Sequence, residues 1–226
     1  MNRSFFSSIN YFKIVSYLVV LFGFNITYAG SFEDFFSAIK QDDVVQVQAL
    51  LQRGFDPNTL DSTGQPGLIA AIKSGSVKVA TLLVNTPNIK VEVRNSADES
   101  PLMMAALNGH VALVRLLIQK DADVNKPGWT ALHYAATNGH IDVMDLLLEE
   151  NAYIDATSPN GTTPLMMAAH YGTPSAVKQL LEAGADPVLK NDQGLNAFDF
   201  ANRAARTESA NIISAFVRGR QPKGVW

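Results

Sequence analysis

The side chains able to do chemistry are few: four histidines, scattered acids and serines, and no cysteine in 226 residues. Histidine holds metals and moves protons near neutral pH, so His110, His133, His140 and His170 come first. His110 and His140 follow Asn108-Gly109 and Asn138-Gly139, matching places in a repeated pattern. A zinc site needs several ligands about 2 Å from one point, whereas equivalent residues on packed neighbouring helices lie about 10 Å apart. His170 ends a helical stretch and is expected at the surface. Ser175, the one serine near it, follows Pro174 at the start of the next helix, with no base or orienting acid marked beside it. Gly161-Thr162-Thr163-Pro164 is a helix entry rather than a phosphate cradle, and Asp142, Asp145, Glu149 and Glu150 form a solvated face. No catalytic, metal or cofactor site is expected; the rival is an enzyme with its site around His170, Tyr171 and Tyr134.

Composition narrows the class. A hydrophobic share of 47%, a charged share of 17% and ten prolines fit one folded domain. Without cysteine there are no disulfides or thiolate sites, although an oxidising compartment stays open. The net charge of -3 argues weakly against nucleic acid as a partner.

The elements that carry these residues repeat. Gly128 to Glu150 reads as a turn, a short helix bearing Leu132, Ala135 and Ala136, an Asn138-Gly139 break, and a second helix with an apolar face from Ile141 to Leu148. Two such short helices cannot hide their faces alone. Equivalent apolar positions fall at Phe35, Leu68, Leu102, Leu132, Leu165 and Phe198, at intervals of 33, 34, 30, 33 and 33 residues. That period predicts a solenoid of helix pairs. Tetratricopeptide units share the period, but the long connections with Gly64, Gly128, Gly161 and Gly194 before the first helices speak against them.

Three units carry a fuller pattern. One has Thr130-Ala131-Leu132-His133, Ala135-Ala136, Asn138-Gly139-His140 and Leu146-Leu147. Another has Thr163-Pro164-Leu165-Met166, Ala168-Ala169, Leu180-Leu181 and Gly184-Ala185-Asp186-Pro187. The third has Ser100-Pro101-Leu102-Met103, Ala105-Ala106, Asn108-Gly109-His110, Leu116-Leu117 and Ala122-Asp123-Val124-Asn125. With these motifs the chain resembles the ankyrin-repeat proteins over about residues 32–217. The resemblance implies an all-α ankyrin-repeat solenoid of about six helix–turn–helix units with projecting turns. It implies a hydrogen bond from His133 tying one loop to the next, and fastening roles for His110 and His140. It also implies a protein partner on the concave face of turns and first helices. The positions that point there are Met104, Leu107, Tyr134, Thr137, Met167, His170 and Tyr171, with Lys73 and Phe200 extending the row and Trp129 at the base of a shortened turn. Aromatic and methionine side chains suit such a surface, while the alternative makes several of them core between adjacent first helices. Met103 and Met166 are expected in the core.

The departures mark the ends. The first unit lacks the opening tetrad and reads as a cap; the second has Pro66-Gly67-Leu68-Ile69 in its place. Three residues are missing between the third and fourth units, where Asn125-Lys126-Pro127-Gly128 must make a short finger. Gly109, Gly139 and Gly172 are expected to allow the reversals between helices. The sixth unit ends near Val217 as the other cap. Residues 218–226 form a tail that either stays mobile or folds back through Trp226.

Residues 1–29 read as a signal peptide: Arg3 and Lys13 are the charges, Ile14 to Phe24 is apolar, and Thr27-Tyr28-Ala29 suits cleavage after Ala29. An uncleaved anchor wants about 20 apolar residues, and Asn25 interrupts this run. The domains are thus expected at 1–29, 30–217 and 218–226. The mature chain would keep 16 basic and 21 acidic side chains. The sequence predicts a non-enzymatic, periplasmic or secreted protein-binding module. It is expected to be monomeric when free, with neither a nucleic-acid partner nor a membrane partner after cleavage. The alternatives are an accessory or inhibitory subunit of an exported enzyme or toxin, and a secreted host-directed effector.

Overall fold

The computed structural model describes residues 30–220, so the expected export segment and residues 221–226 lie outside the described residues. Twelve helices form six antiparallel pairs among them. The first helices are α1 (residues 30–40), α3 (Gly67–Lys73), α5 (Pro101–Leu107), α7 (Ala131–Asn138), α9 (Pro164–His170) and α11 (Ala197–Arg203). The second helices are α2 (Val44–Gln52), α4 (Val77–Val84), α6 (Val111–Gln119), α8 (Ile141–Glu149), α10 (Pro174–Ala183) and α12 (Thr207–Arg220). Helices α3, α5, α7, α9 and α11 stack in order as one layer, and α2, α4, α6, α8, α10 and α12 as the other. The last helix continues to Arg220, past the expected boundary at Val217.

Local chemistry starts the helices where the sequence placed them. Ser100 and Thr163 accept the backbone N–H of Met103 (3.2 Å) and Met166 (3.4 Å), and Pro101 and Pro164 follow at positions that need no N–H. Asn196 and Asp199 cap α11 reciprocally, each side chain accepting the other's backbone N–H at 3.1 and 3.0 Å. Helices this short are not stable alone; burial holds them. The pairs Ala105-Ala106, Ala135-Ala136 and Ala168-Ala169 are wholly buried, as are Leu147, Leu180 and Leu117.

Two glycines show how tightly neighbouring units fit. Gly139 closes α7 at φ 68°, and a Cβ there would meet Thr173 Oγ1 at 2.7 Å. Gly172 serves a different end from the expected reversal. Its φ is ordinary, but a Cβ would stand 2.4 Å from the Ala136 carbonyl oxygen and 2.9 Å from that of Ala168. It is small so that α9 can approach α7.

The irregular units have equally local causes. Phe35, wholly buried, puts Cε1 2.9 Å from where a Cβ of Gly67 would be, so the cap's ring occupies the space of a side chain in the next unit. Phe198 holds the register position of buried Leu165 yet stays 36% exposed. Among the described residues, α12 packs against α10 and α11.

Candidate functional site

Four of the connections between units are built on one turn, closed by Asp61, Asn95, Ser158 and Asn191. The backbone N–H of each donates to the carbonyl four residues on, at 2.8, 3.2, 2.9 and 2.9 Å respectively. Their side chains also accept backbone N–H groups within the turn, as Asn191 Oδ1 does from Gln193 and Leu195, both at 3.0 Å. The connection through Asn125 to Gly128 is the short one. Lys126 pairs with Asp98 of the preceding turn, and Gly128 turns at φ 87° against Pro159 of the following one. Trp129 is thereby seated at the finger base, its ring edge-on to His133 with centroids 5.2 Å apart.

A second ladder joins successive units at the exits of the second helices. Asn58 accepts Lys90 N–H at 2.8 Å, Glu92 accepts Asp123 N–H at 2.9 Å, Asn125 accepts Tyr153 N–H at 2.8 Å and Asp155 accepts Asp186 N–H at 3.1 Å. Asn125, expected only to feed a turn, is thus also a clamp between units. Burial and the neighbouring Asp186 carboxylate raise the Asp155 pKa, against the lowering from the hydrogen bond it accepts.

The histidines resolve into fastenings. His133 is wholly buried; its Nδ1 accepts the Thr130 N–H at 3.1 Å, which leaves Nε2 to donate to Thr162 O at 2.9 Å. Burial pushes its pKa down to about 4. Thr130 Oγ1 lies 2.9 Å from the same Nδ1, a hydroxyl–imidazole pair in outline. Both residues are closed to solvent, at 3% and 0% exposure, so no substrate reaches them. His140 Nε2 donates to Leu107 O at 2.9 Å while its ring covers Gly109. Burial, with His140 nearby, lowers the His110 pKa. Among the described residues no group of three or more histidine, cysteine, aspartate or glutamate side chains is placed to hold a metal ion.

The expected surface row divides. Met104 is only 1% exposed and belongs to the core, as do Met103 and Met166. Its helix α5 lies between α3 and α7, and Lys73 and Tyr134 reach in from either side to Glu99, at 3.3 and 3.4 Å. Tyr134 is half-buried, and burial, with Glu99 and Asp98 adding to it, raises its hydroxyl pKa to about 12. Leu107 and Thr137 are also half-buried, and Thr137 spends its hydroxyl on His133 O at 2.8 Å.

Trp129, Met167, His170 and Tyr171 do come together. They line a cavity of about 290 Å³ with Asn160 and Thr162, with Asn191, Gln193 and Leu195 of the next connection, and with Phe200 and Arg203 of α11. His170 Nδ1 donates to Phe200 O at 3.2 Å, and its ring meets Tyr171 and Phe200 edge-on, centroids 4.2 and 5.9 Å away. Tyr171 is 54% exposed. Arg203 was not among the sequence candidates, although the 33-residue step from His170 reaches it and would have found it. The walls come from connecting turns and first helices together.

The repeat pattern and the fold are matched by known proteins. A family model for ankyrin repeats, three copies long, matches residues 35–127, 88–158 and 124–191. The chain belongs to the ankyrin-repeat family.

Relatives by sequence include the ankyrin repeat and SAM domain-containing protein 6 of Mus musculus, 36% identical over 143 residues. That match takes in 63% of this chain and 13% of the relative. The nuclear factor NF-kappa-B p105 subunit of Gallus gallus is 34% identical over 163 residues, 69% of this chain and 16% of the relative. The chain thus spans only a small part of these proteins. Among solved structures, a complex of a predatory endopeptidase from Bdellovibrio bacteriovorus with an immunity protein contains a chain that superimposes with a TM-score of 0.70 and 29% identity. The match covers 80% of this chain and 97% of that one. A human ankyrin repeat domain superimposes with a TM-score of 0.73 and 25% identity, covering 84% of this chain and 85% of that one. Domains of the ankyrin fold serve as protein–protein interaction modules.

Proposed function

We propose that this ankyrin domain acts after export as a non-enzymatic binding module that engages a protein partner through its concave side. One observation carries the reading: Trp129, Met167, His170 and Tyr171, far apart in sequence, share one cavity built from connecting turns and first helices. An exposed tyrosine beside half-buried tryptophan and methionine side chains, in a partly apolar setting, is the kind of surface that interfaces enrich. The test is a crosslinking pull-down with the full chain beside a Tyr134→Ala, Met167→Ala double variant whose helical signal is checked first. Loss of specific partners is expected; a double variant that keeps every one of them overturns the reading. Export is tested by sequencing the amino terminus of the protein isolated from culture. A mature chain starting at Gly30 is expected, and one retaining Met1 to Ala29 rules out cleavage there.

A second reading makes the partner an exported enzyme that the domain inhibits. What favours it is the likeness to a chain in the complex of an endopeptidase with its immunity protein, matched over 97% of that chain. Titrating the purified protein into exported hydrolases encoded beside it decides between the two. Stoichiometric inhibition supports the inhibitory role, and binding without inhibition removes it.

A further inference from the structure

The partner's chemistry is written in the same cavity. Its lining carries one formally charged side chain, Arg203, among the rings of Trp129, His170, Tyr171 and Phe200 and the thioether of Met167. Arg203 is exposed on the last turn of α11 and takes part in no ion pair among the described residues. The basic neighbour Arg206 is engaged, donating to Tyr171 O at 3.2 Å. Of the nearby acids, Asp199 is held in the α11 cap, and Asp192 stands over Gly161, a Cβ there lying 3.2 Å from its Oδ1. The cavity therefore offers aromatic walls, amide groups from Asn160, Asn191 and Gln193, and one guanidinium with free donors.

Resting on the concave-side reading, we propose that this cavity takes an extended acidic segment of the partner. An Asp or Glu carboxylate is held by Arg203, and an adjacent aromatic or aliphatic side chain lies against Trp129, Met167 and Phe200. Guanidinium groups bind carboxylates in a planar, two-toothed fashion. A basic segment is repelled by the same charge, so selectivity comes with the fit.

The experiment selects a displayed library of random twelve-residue peptides on the immobilised full chain, and repeats it on three variants. Gln193→Trp plugs the cavity mouth from an exposed position, Tyr171→Ala removes an exposed wall, and Arg203→Glu reverses the charge. Enrichment of peptides pairing Asp or Glu with an aromatic or aliphatic residue is expected on the natural chain. Their binding should fall with Gln193→Trp and Tyr171→Ala. Arg203→Glu should weaken them about tenfold or more and shift enrichment toward Lys and Arg. If the two wall variants abolish binding while Arg203→Glu selects the same acidic peptides, the acidic-segment proposal is overturned and the concave site stands. If neither wall variant affects binding, the concave reading falls and the proposal with it. Melting curves of all three variants, each at an exposed position, exclude unfolding as the cause.

Discussion

His133 Nε2 donates to the carbonyl oxygen of Thr162 at 2.9 Å, joining the first helix of one unit to the turn that opens the next. The neutral ring is required at Nδ1, which accepts the Thr130 N–H and could not do so once protonated; the Nε2 bond itself survives protonation. The folded-state pKa of about 4 lies below the ordinary histidine value of 6.5. A depressed histidine pKa means that the unfolded chain takes up the proton first as pH falls. The stability this ring contributes is therefore fully present above about pH 6.5 and lost as pH drops toward 4. Urea unfolding from pH 7 to pH 4 should show a loss of about 3 kcal/mol from this residue. In a His133→Gln variant that part of the pH dependence should disappear, and an unchanged profile would assign it elsewhere.

Gly172 and Ala136 make a second close approach, and it sets a steric limit. A Gly172→Ala chain must push the Ala136 carbonyl away from 2.4 Å, so denaturant midpoints should report a loss of about 2–4 kcal/mol. Gly194→Ala is the comparison: nothing lies within 4 Å of its Cβ, and only its φ of 74° is unfavourable. Its cost should stay near about 1 kcal/mol. Equal costs would mean that the contact is relieved by small backbone shifts.

Asp155 occupies a clamp position that Asn58 and Asn125 fill elsewhere in the ladder. Its carboxylate faces Asp186 and has a raised pKa, so ionising it costs stability as pH rises through its folded pKa. Replacing it as Asp155→Asn keeps an acceptor for the Asp186 N–H and removes the repulsion. The melting temperature at pH 7 should rise, by a gain of less than about 1 kcal/mol after solvent screening. The gain should shrink as pH falls through the carboxylate range. A lower melting temperature would show that the charge, and not the acceptor, matters at this clamp.

Two methionines at equivalent positions should behave oppositely. Met104→Ala empties a buried site at 1% exposure and should cost about 2–5 kcal/mol. Met167 is half-buried at the cavity, so Met167→Ala should cost clearly less in stability and more in partner binding. Paired unfolding and pull-down measurements check this; the reverse pattern would move the binding surface off the cavity.

Much of the solenoid was legible because its signals are local. Ser100-Pro101 and Thr163-Pro164 start helices by capping, and Asn-Gly pairs stop them. Burial in a stack is legible only in part, because it depends on what the neighbouring units carry. Met104 and Met167 share one register position, yet the first is 1% exposed while the second is half-buried and borders a cavity. Phe198 fits the periodicity and is still 36% exposed, because periodicity places a residue on a face and does not say what packs against it. Arg203 was missed for a simpler reason. The sixth unit breaks the Ala-Ala pattern with Ala201-Asn202, which hid a position that counting forward from His170 recovers.

The packing of Phe35 into the space over Gly67 bears on how freely such a chain could be recombined. Ankyrin units invite exchange as interchangeable modules, because each touches only its neighbours. Here the cap and the unit after it are a matched lock. A consensus cap with a smaller residue than Phe35 would leave a void over Gly67, and a consensus second unit with proline in place of Gly67 would strike the ring. Shuffling at this end succeeds only if both partners travel together.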